Sequence, residues 1–272
     1  MKKLLFIINP MAGRQQAQTD LYKMVKIFAD HDYEVTVYPT RARLDCTRKV
    51  LEDAGRFDLV VCCGGDGTLN EMVSGMMQRQ DRRPMGYIPL GSTNDLAVSL
   101  RLPTRVEEAA LRAVTGNEFH MDVGTLNDRY FNYIAAFGAF TETSYATPQE
   151  IKNALGHLAY ILEGVKSLGK ILPIHVKITA DDEQFEEDYL FGAVTNTISL
   201  GGVLKLDPEK VLLDDGMYEL LLVKNPTNAL EAQAMLTAIM TQNFDGPLVK
   251  MFHASDIPFE SSHEISWTID GE

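Results

Sequence analysis

A chain of 272 residues with 45% hydrophobic content has enough apolar surface for one large or two ordinary domains. Its formal charge of −13 weighs against nucleic acid as a partner, because phosphate backbones are bound through a basic footprint, and mildly against wholesale docking on anionic lipid. The apolar run of MKKLLFIINP stops at Asn9 and Pro10, short of a signal peptide or membrane span, and three cysteines make neither a disulfide framework nor a CxxC pair, so a cytoplasmic protein is expected.

In chain order, strands are expected from Leu4 to Ile8, Glu34 to Tyr38, Asp58 to Cys63 and Met85 to Pro89. Helices are expected from Thr19 to Asp30, Cys46 to Ala54, Leu69 to Gln78 and Val106 to Val114. Such alternation implies a parallel sheet covered by helices on both faces, which binds ligands beyond the carboxyl ends of its strands. Basic clusters at Arg41, Arg43, Arg48 and Lys49, and at Arg79, Arg82 and Arg83, read as solvated faces. The texture changes near Met121. DVGTLNDRYFNYIAAFG, with a hairpin turn at Asn127-Asp128, then PIHVKITADD, YLFGAVTNTIS, MYELLLV and ISWTIDGE read as strands of a mainly antiparallel second domain. Two helices interrupt it, from Pro148 to Leu172 and from Pro226 to Asn243. The apolar stripe of the first either faces the core or lines an apolar substrate cleft.

Three strand-to-helix turns of the first domain carry glycine and polar residues: INPMAGR at 8–14, CGGDGTLNE at 63–71 and PLGSTND at 89–95. A parallel sheet puts all three on one edge, where free backbone N–H groups and helix N-termini converge on an anion such as a nucleotide's phosphates. Glycine there is expected to permit close backbone approach and positive φ. Neither GxxxxGK[ST] nor GxGxxG occurs. Asp66 would repel phosphate unless a divalent cation lay between them, which points to Mg2+, a triphosphate and phosphoryl transfer.

GGDGTLNE and PLGSTND, following a strand that ends in NPMAG, resemble the diacylglycerol kinase catalytic-domain family, in particular its bacterial soluble lipid kinases, which are related to sphingosine kinases. The resemblance spans essentially the whole chain. GGDGT by itself is shared with NAD kinases; its pairing with GSTND is what makes the match specific. The resemblance implies an α/β ATP-binding domain with a parallel sheet at 1–120. A mainly antiparallel, β-sandwich-like lipid-substrate domain follows at 121–272, in the NAD kinase/diacylglycerol kinase-like arrangement. It implies ATP contacts at Asn9, Pro10, Met11, Ala12, Gly13, Thr40, Gly65, Asp66, Gly67, Thr68, Leu69, Asn70, Glu71 and Thr93, and catalytic Mg2+ at Asp66 and Asp122. A structural Mg2+ is implied at Asp215 with the carbonyls of Leu212 and Met217, although the residues alone read as a hairpin turn. Glu272 of the terminal DGE is implied as the base for the lipid hydroxyl, with Asp66 as its catalytic partner. Family members continue for some tens of residues past this motif, so the sequence is expected to be the front part of a longer chain.

The function so implied is transfer of the γ-phosphate of ATP to a lipid hydroxyl, with diacylglycerol giving phosphatidic acid as the expected case and transient contact with the membrane surface during turnover. A homodimer is left open. The alternatives are an NAD kinase-type phosphotransferase, which calls for a second Asn-Glu dipeptide downstream of Asn70-Glu71, and a non-enzymatic nucleotide-sensing module, which would leave the acids without a purpose.

Overall fold

The computed structural model describes residues 1–138, 172–181, 183–200, 204–209 and 211–271. Glu272, and the helix expected from Pro148 up to its last residue, lie outside the described residues. The chain divides into two compact units, Met1–Asn132 and Tyr133–Glu272.

The first unit is built on four parallel strands, β1 (Lys2–Ile8), β2 (Tyr33–Pro39), β3 (Leu59–Gly64) and β4 (Met85–Pro89), in the order β2-β1-β3-β4. Every residue of β3 is buried, as suits a central strand covered on both faces, whereas the edge strand β2 alternates partly buried with exposed positions along its first half. Pairing of Ile8 with Cys63 and of Gly64 with Pro89 brings the carboxyl ends of β1, β3 and β4 out nearly level. The helices are α1 (Gln16–Thr19), α2 (Leu21–Asp30), α3 (Asp45–Asp53), α4 (Asp66–Met77), α5 (Asp95–Ser99) and α6 (Val106–Thr115). On one face Met24 and Phe28 of α2 and Ala109 and Ala110 of α6 bury against Leu4, Phe6, Ile8, Val61 and Ile88, with Phe6 and Phe28 edge to face at 5.2 Å. Elsewhere in the unit α3 and α4 pack so closely that a Cβ on Gly75 would lie 2.9 Å from the Thr47 carbonyl oxygen. The helix expected from Thr19 is interrupted at Asp20, and α4 begins at Asp66, three residues before the expected Leu69. The hairpin β5 (Gly124–Leu126) and β6 (Arg129–Phe131) turns at Asn127, whose φ of 52° is one an asparagine tolerates.

The second unit contains β7 (Ile134–Gly138), β8 (Ile174–Ala180), β9 (Glu183–Thr195), the short pair β10 (Ser199–Leu200) and β11 (Leu204–Lys205), then β12 (Tyr218–Lys224), α7 (Ala229–Thr241), β13 (Val249–Ala254), β14 (Phe259–Glu260) and β15 (Trp267–Ile269). Seven of the strands form one antiparallel sheet with a path β13-β12-β9-β7-β15; β8 joins it through β9 and carries β14. The length of β9 permits this: β8 pairs with its first half and β7 and β12 with its second. Helix α7 is capped reciprocally. Asn228 Oδ1 accepts from Glu231 N at 3.0 Å, and Glu231 Oε2 accepts from Thr227 N at 2.7 Å. Its Ala232 and Met235 bury beside Leu221, Val223 and Val249. The architecture is the parallel α/β domain followed by an antiparallel domain that the sequence implies.

Candidate active site

In the order β2-β1-β3-β4 the chain leaves β1 toward one side of the sheet and leaves β3 toward the other. The turns that follow these two adjacent strands therefore flank a crevice at the carboxyl edge, where open α/β sheets take their ligands. Both turns are tied to it. Asn9 N donates to the Cys63 carbonyl at 2.9 Å, Asn9 Nδ2 reaches Thr68 Oγ1 at 3.4 Å, and Asn9 Oδ1 accepts from Met11 N at 3.0 Å. Pro10 and Ala12 are half-buried, Met11 is exposed, and Gly13 closes the turn at φ 60°. Thr40 N donates to the Ile8 carbonyl at 2.9 Å, so Thr40 comes to the same edge.

The glycines of the other two turns serve close approach, as expected, but not positive φ. Gly65 has φ −90°, and neither Gly64 nor Gly91 is among the positive-φ residues. Their role is contact: a Cβ on Gly91 would lie 2.7 Å from Gly65 Cα, and one on Gly64 would collide with Thr68 Oγ1. The positive φ belongs to Asn94, at 54°, which acts as the hub of the site. Its Oδ1 accepts from Gly91 N at 2.8 Å and from the Tyr87 hydroxyl at 3.1 Å, and its Nδ2 donates to the Gly91 carbonyl at 2.9 Å. Its backbone N–H donates to Asp66 Oδ2 at 2.9 Å. Burial first, then the charge of Asp66, pushes the Tyr87 phenol well above its ordinary pKa, so it remains a neutral donor. Asp66 is thus the first residue of α4, half-buried and held by the neighbouring turn, with Gly67 and the buried Thr68 following it in the helix.

The remainder of the GGDGTLNE stretch faces elsewhere. Leu69 is buried in the core. Asn70 Nδ2 donates to the Tyr130 carbonyl at 3.2 Å, tying α4 to β6. The Glu71 carboxylate accepts from Leu44 N at 2.7 Å and from Cys46 N at 3.1 Å, and so caps α3, whose own N-cap residue Leu44 supplies no side-chain cap. Thr93 is half-buried beside Asn94, and Asp122 is half-buried ahead of β5. Sequence reasoning placed Gly91, Asn94 and Asp95 in the PLGSTND turn but gave a role there to Thr93 alone, and it passed over Tyr87; Asp95 is 2% exposed in the first turn of α5. A signal was available for Asn94, since asparagine before a helix tolerates a left-handed backbone.

Among the described residues no group of three or more His, Cys, Asp or Glu could hold a metal ion. Mg2+ typically binds through one or two carboxylates together with substrate phosphates; of the two acids expected to hold it, Asp66 lies at the carboxyl edge of the sheet, at the start of α4. Asp215 does not form the expected hairpin. It occupies a turn ahead of β12, its Oδ1 accepting from Met217 N at 2.9 Å, with Gly216 at φ 74°. Its Oδ2 lies 3.4 Å from His253 Nε2, and Leu212 is exposed. Two residues along β12, Glu219 is buried, and desolvation pushes its pKa up to about 7.

Elsewhere Cys46, Cys62 and Cys63 are buried free thiols, and burial raises the pKa of each. They are core residues rather than nucleophiles. In the basic clusters Arg48 pairs with Asp45 and Glu52, Lys49 with Asp53, and Arg79 with Asp81. Sequence reasoning sets the NAD kinase alternative behind for want of a second Asn-Glu dipeptide; one does occur, at Asn117-Glu118, exposed after α6, so that ground does not hold. No helix among the described residues is long and apolar enough to cross a membrane.

Glycine-packed turns, a helix N-terminus and an acid fixed at a sheet's switch point make an edge suited to a ligand's phosphates. The sequence profile of the diacylglycerol kinase catalytic domain matches residues 3–126, and that of the YegS C-terminal NAD kinase beta sandwich-like domain matches residues 140–272. The diacylglycerol kinase of Bacillus subtilis (strain 168) is 33% identical, over 100% of this chain and 90% of the relative; that of Staphylococcus saprophyticus is 30% identical, over 100% and 89%. A solved diacylglycerol kinase structure from Bacillus anthracis str. Sterne superposes with a TM-score of 0.75 at 26% identity, over 99% of this chain and 89% of that one. The chain belongs to the diacylglycerol kinase family and is a kinase, which implies ATP as donor and a lipid as acceptor.

Proposed function

We propose that the protein transfers the γ-phosphate of ATP to the free hydroxyl of diacylglycerol, giving phosphatidic acid. The observation that carries this reading is the placement of Asp66. It lies at the N-terminus of α4, among turns suited to phosphate, with Oδ2 fixed by Asn94 N. Asp66 and Asp122 would hold Mg2+ there, which when bound would supply positive charge toward the transferring phosphate. In this reading the backbone of Asn9–Gly13, Thr40, the Gly65–Thr68 stretch and Thr93 receive the nucleotide. Leu69, Asn70 and Glu71 act at one remove, by anchoring α4 to the core, to β6 and to α3. Leu212, Asp215 and Met217 hold a second, structural Mg2+. The first unit binds nucleotide and the second recognises lipid, met transiently at the membrane surface from the cytoplasm. Glu272 accepts the proton of the lipid hydroxyl, so Glu272→Gln lowers turnover by about 10²-fold while ATP affinity is retained.

The decisive experiment incubates the protein with labelled ATP, Mg2+ and mixed micelles of diacylglycerol, monoacylglycerol, phosphatidylglycerol or a sphingoid base, with NAD in a parallel reaction. Label in phosphatidic acid supports the reading. Label in NAD and in no lipid overturns it, and label in another lipid alone overturns the choice of diacylglycerol.

A further inference from the structure

Glu219 is 2% exposed, and among the described residues neither of its carboxylate oxygens has a hydrogen-bond partner. The contrast with Asp270 in the same unit is direct. Asp270 is 3% exposed, and its Oδ1 accepts from Tyr133 N and Ile134 N, each at 3.1 Å. A buried carboxylate without donors carries a large desolvation cost unless something neutralises it. On β12, Glu219 lies opposite Thr195 of β9 on one side and His253 of β13 on the other. The Thr195 hydroxyl donates instead to the Tyr133 carbonyl at 2.6 Å. His253 Nε2 is 3.7 Å from Glu219 Oε1 and 3.4 Å from Asp215 Oδ2, beyond good hydrogen-bond geometry on the first count, and its side chain is 43% exposed. Two carboxylates therefore face one imidazole.

We infer that Glu219 belongs to the cation site at the Asp215 turn, as a second carboxylate that a bound divalent cation neutralises directly or through one of its waters. This rests on the proposed structural Mg2+ at that turn and extends it, since the set of Leu212, Asp215 and Met217 leaves Glu219 without a role. Two carboxylates, two backbone carbonyls and water are the all-oxygen surroundings that hard divalent cations select. His253 faces the pair from outside this set.

The test is thermal unfolding of the full chain, without nucleotide, in EDTA and across a Mg2+ titration, for wild type, Asp215→Asn and Glu219→Gln. The expected result is a saturable rise in wild-type Tm. That rise disappears in Asp215→Asn. In Glu219→Gln it needs about tenfold more Mg2+, the scale on which supporting groups of a metal site act. In EDTA, Glu219→Gln melts at or above wild type, because a neutral amide replaces an uncompensated charge. If Glu219→Gln keeps the wild-type Mg2+ midpoint while Asp215→Asn loses its response, the inference about Glu219 is overturned and the Asp215 site stands. If wild type itself shows no Mg2+ response, both are overturned. Should Glu219→Gln not fold, Glu219→Asp, which keeps the charge but shortens its reach, replaces it in the same titration and is expected to weaken the midpoint likewise.

Discussion

Gly91→Ala tests the claim that the site is built by the contact of two turns. Gly91 is not at positive φ, so an alanine brings no backbone strain of its own and its effect is purely steric. The new methyl would lie 2.7 Å from Gly65 Cα and 2.6 Å from Asn94 Oδ1. Relieving the first contact requires the turns to part by roughly 0.7 Å, an overpacking cost of about 1–3 kcal/mol. Parting them also stretches Gly91 N to Asn94 Oδ1, at 2.8 Å, and through Asn94 the 2.9 Å bond that fixes Asp66. A displacement approaching 1 Å at a reacting group lowers turnover by up to about 10²-fold. Urea unfolding at constant m, read beside kcat, is expected to show both losses. Gly65→Ala supplies the graded control. Its methyl would meet Gly91 Cα at 3.2 Å, so a shift of a few tenths of an ångström suffices and both effects should be smaller. Wild-type midpoint and wild-type kcat in Gly91→Ala would refute the argument.

Asp66→Asn keeps an acceptor for Asn94 N, so the urea midpoint should hold while turnover falls far more than tenfold; a loss worth only about 1.4 kcal/mol or less would deny Asp66 its role. Glu71→Ala leaves Leu44 N and Cys46 N without their acceptor and should cost about 0.5–2 kcal/mol of stability, as for a lost helix cap. An unchanged midpoint with a raised KM for ATP would instead place Glu71 on the nucleotide. His175 Nδ1 lies 2.8 Å from Asp188 Oδ1, and this bond, aided by Glu186, raises the imidazole pKa above its ordinary 6.5. The pairing therefore stabilises the fold fully below that value and is lost as pH rises through the higher folded pKa. An NMR titration placing the His175 midpoint at or below 6.5 would contradict it.

The elements that could be read in advance were those whose residues report on their own burial. β3 is an uninterrupted apolar run because helices cover both faces of its sheet, and that run is visible without the fold. β13 and β14 were missed for the converse reason. Val249–Ala254 includes a lysine and a histidine, and Phe259–Glu260 is two residues long, so neither shows a period, and each is defined by its partners β12 and β8. The start of α4 was placed three residues late because Asp66, Gly67 and Thr68 resemble loop residues. At a helix N-terminus the same residues are favourable, since an acid there meets the positive end of the dipole.

The candidate site was legible as a set of turns but not as a division of labour, and the reason is geometric. A contiguous motif such as GGDGTLNE invites the assumption that its residues share one ligand, yet once its last six positions wind into α4 consecutive side chains point about 100° apart, and even Asp66 and Asn70, one turn apart on the same face, meet different partners. Asp66 meets Asn94, Asn70 meets β6, and Glu71 meets the amides of Leu44 and Cys46. The same reasoning explains Asn94. Its side chain replaces the contacts that a tighter turn would make within its own backbone, and its N–H is thereby left to fix an acid 28 positions earlier in the chain. A residue with that role has no local periodicity to betray it, only a tolerance for φ near 54° that few side chains share.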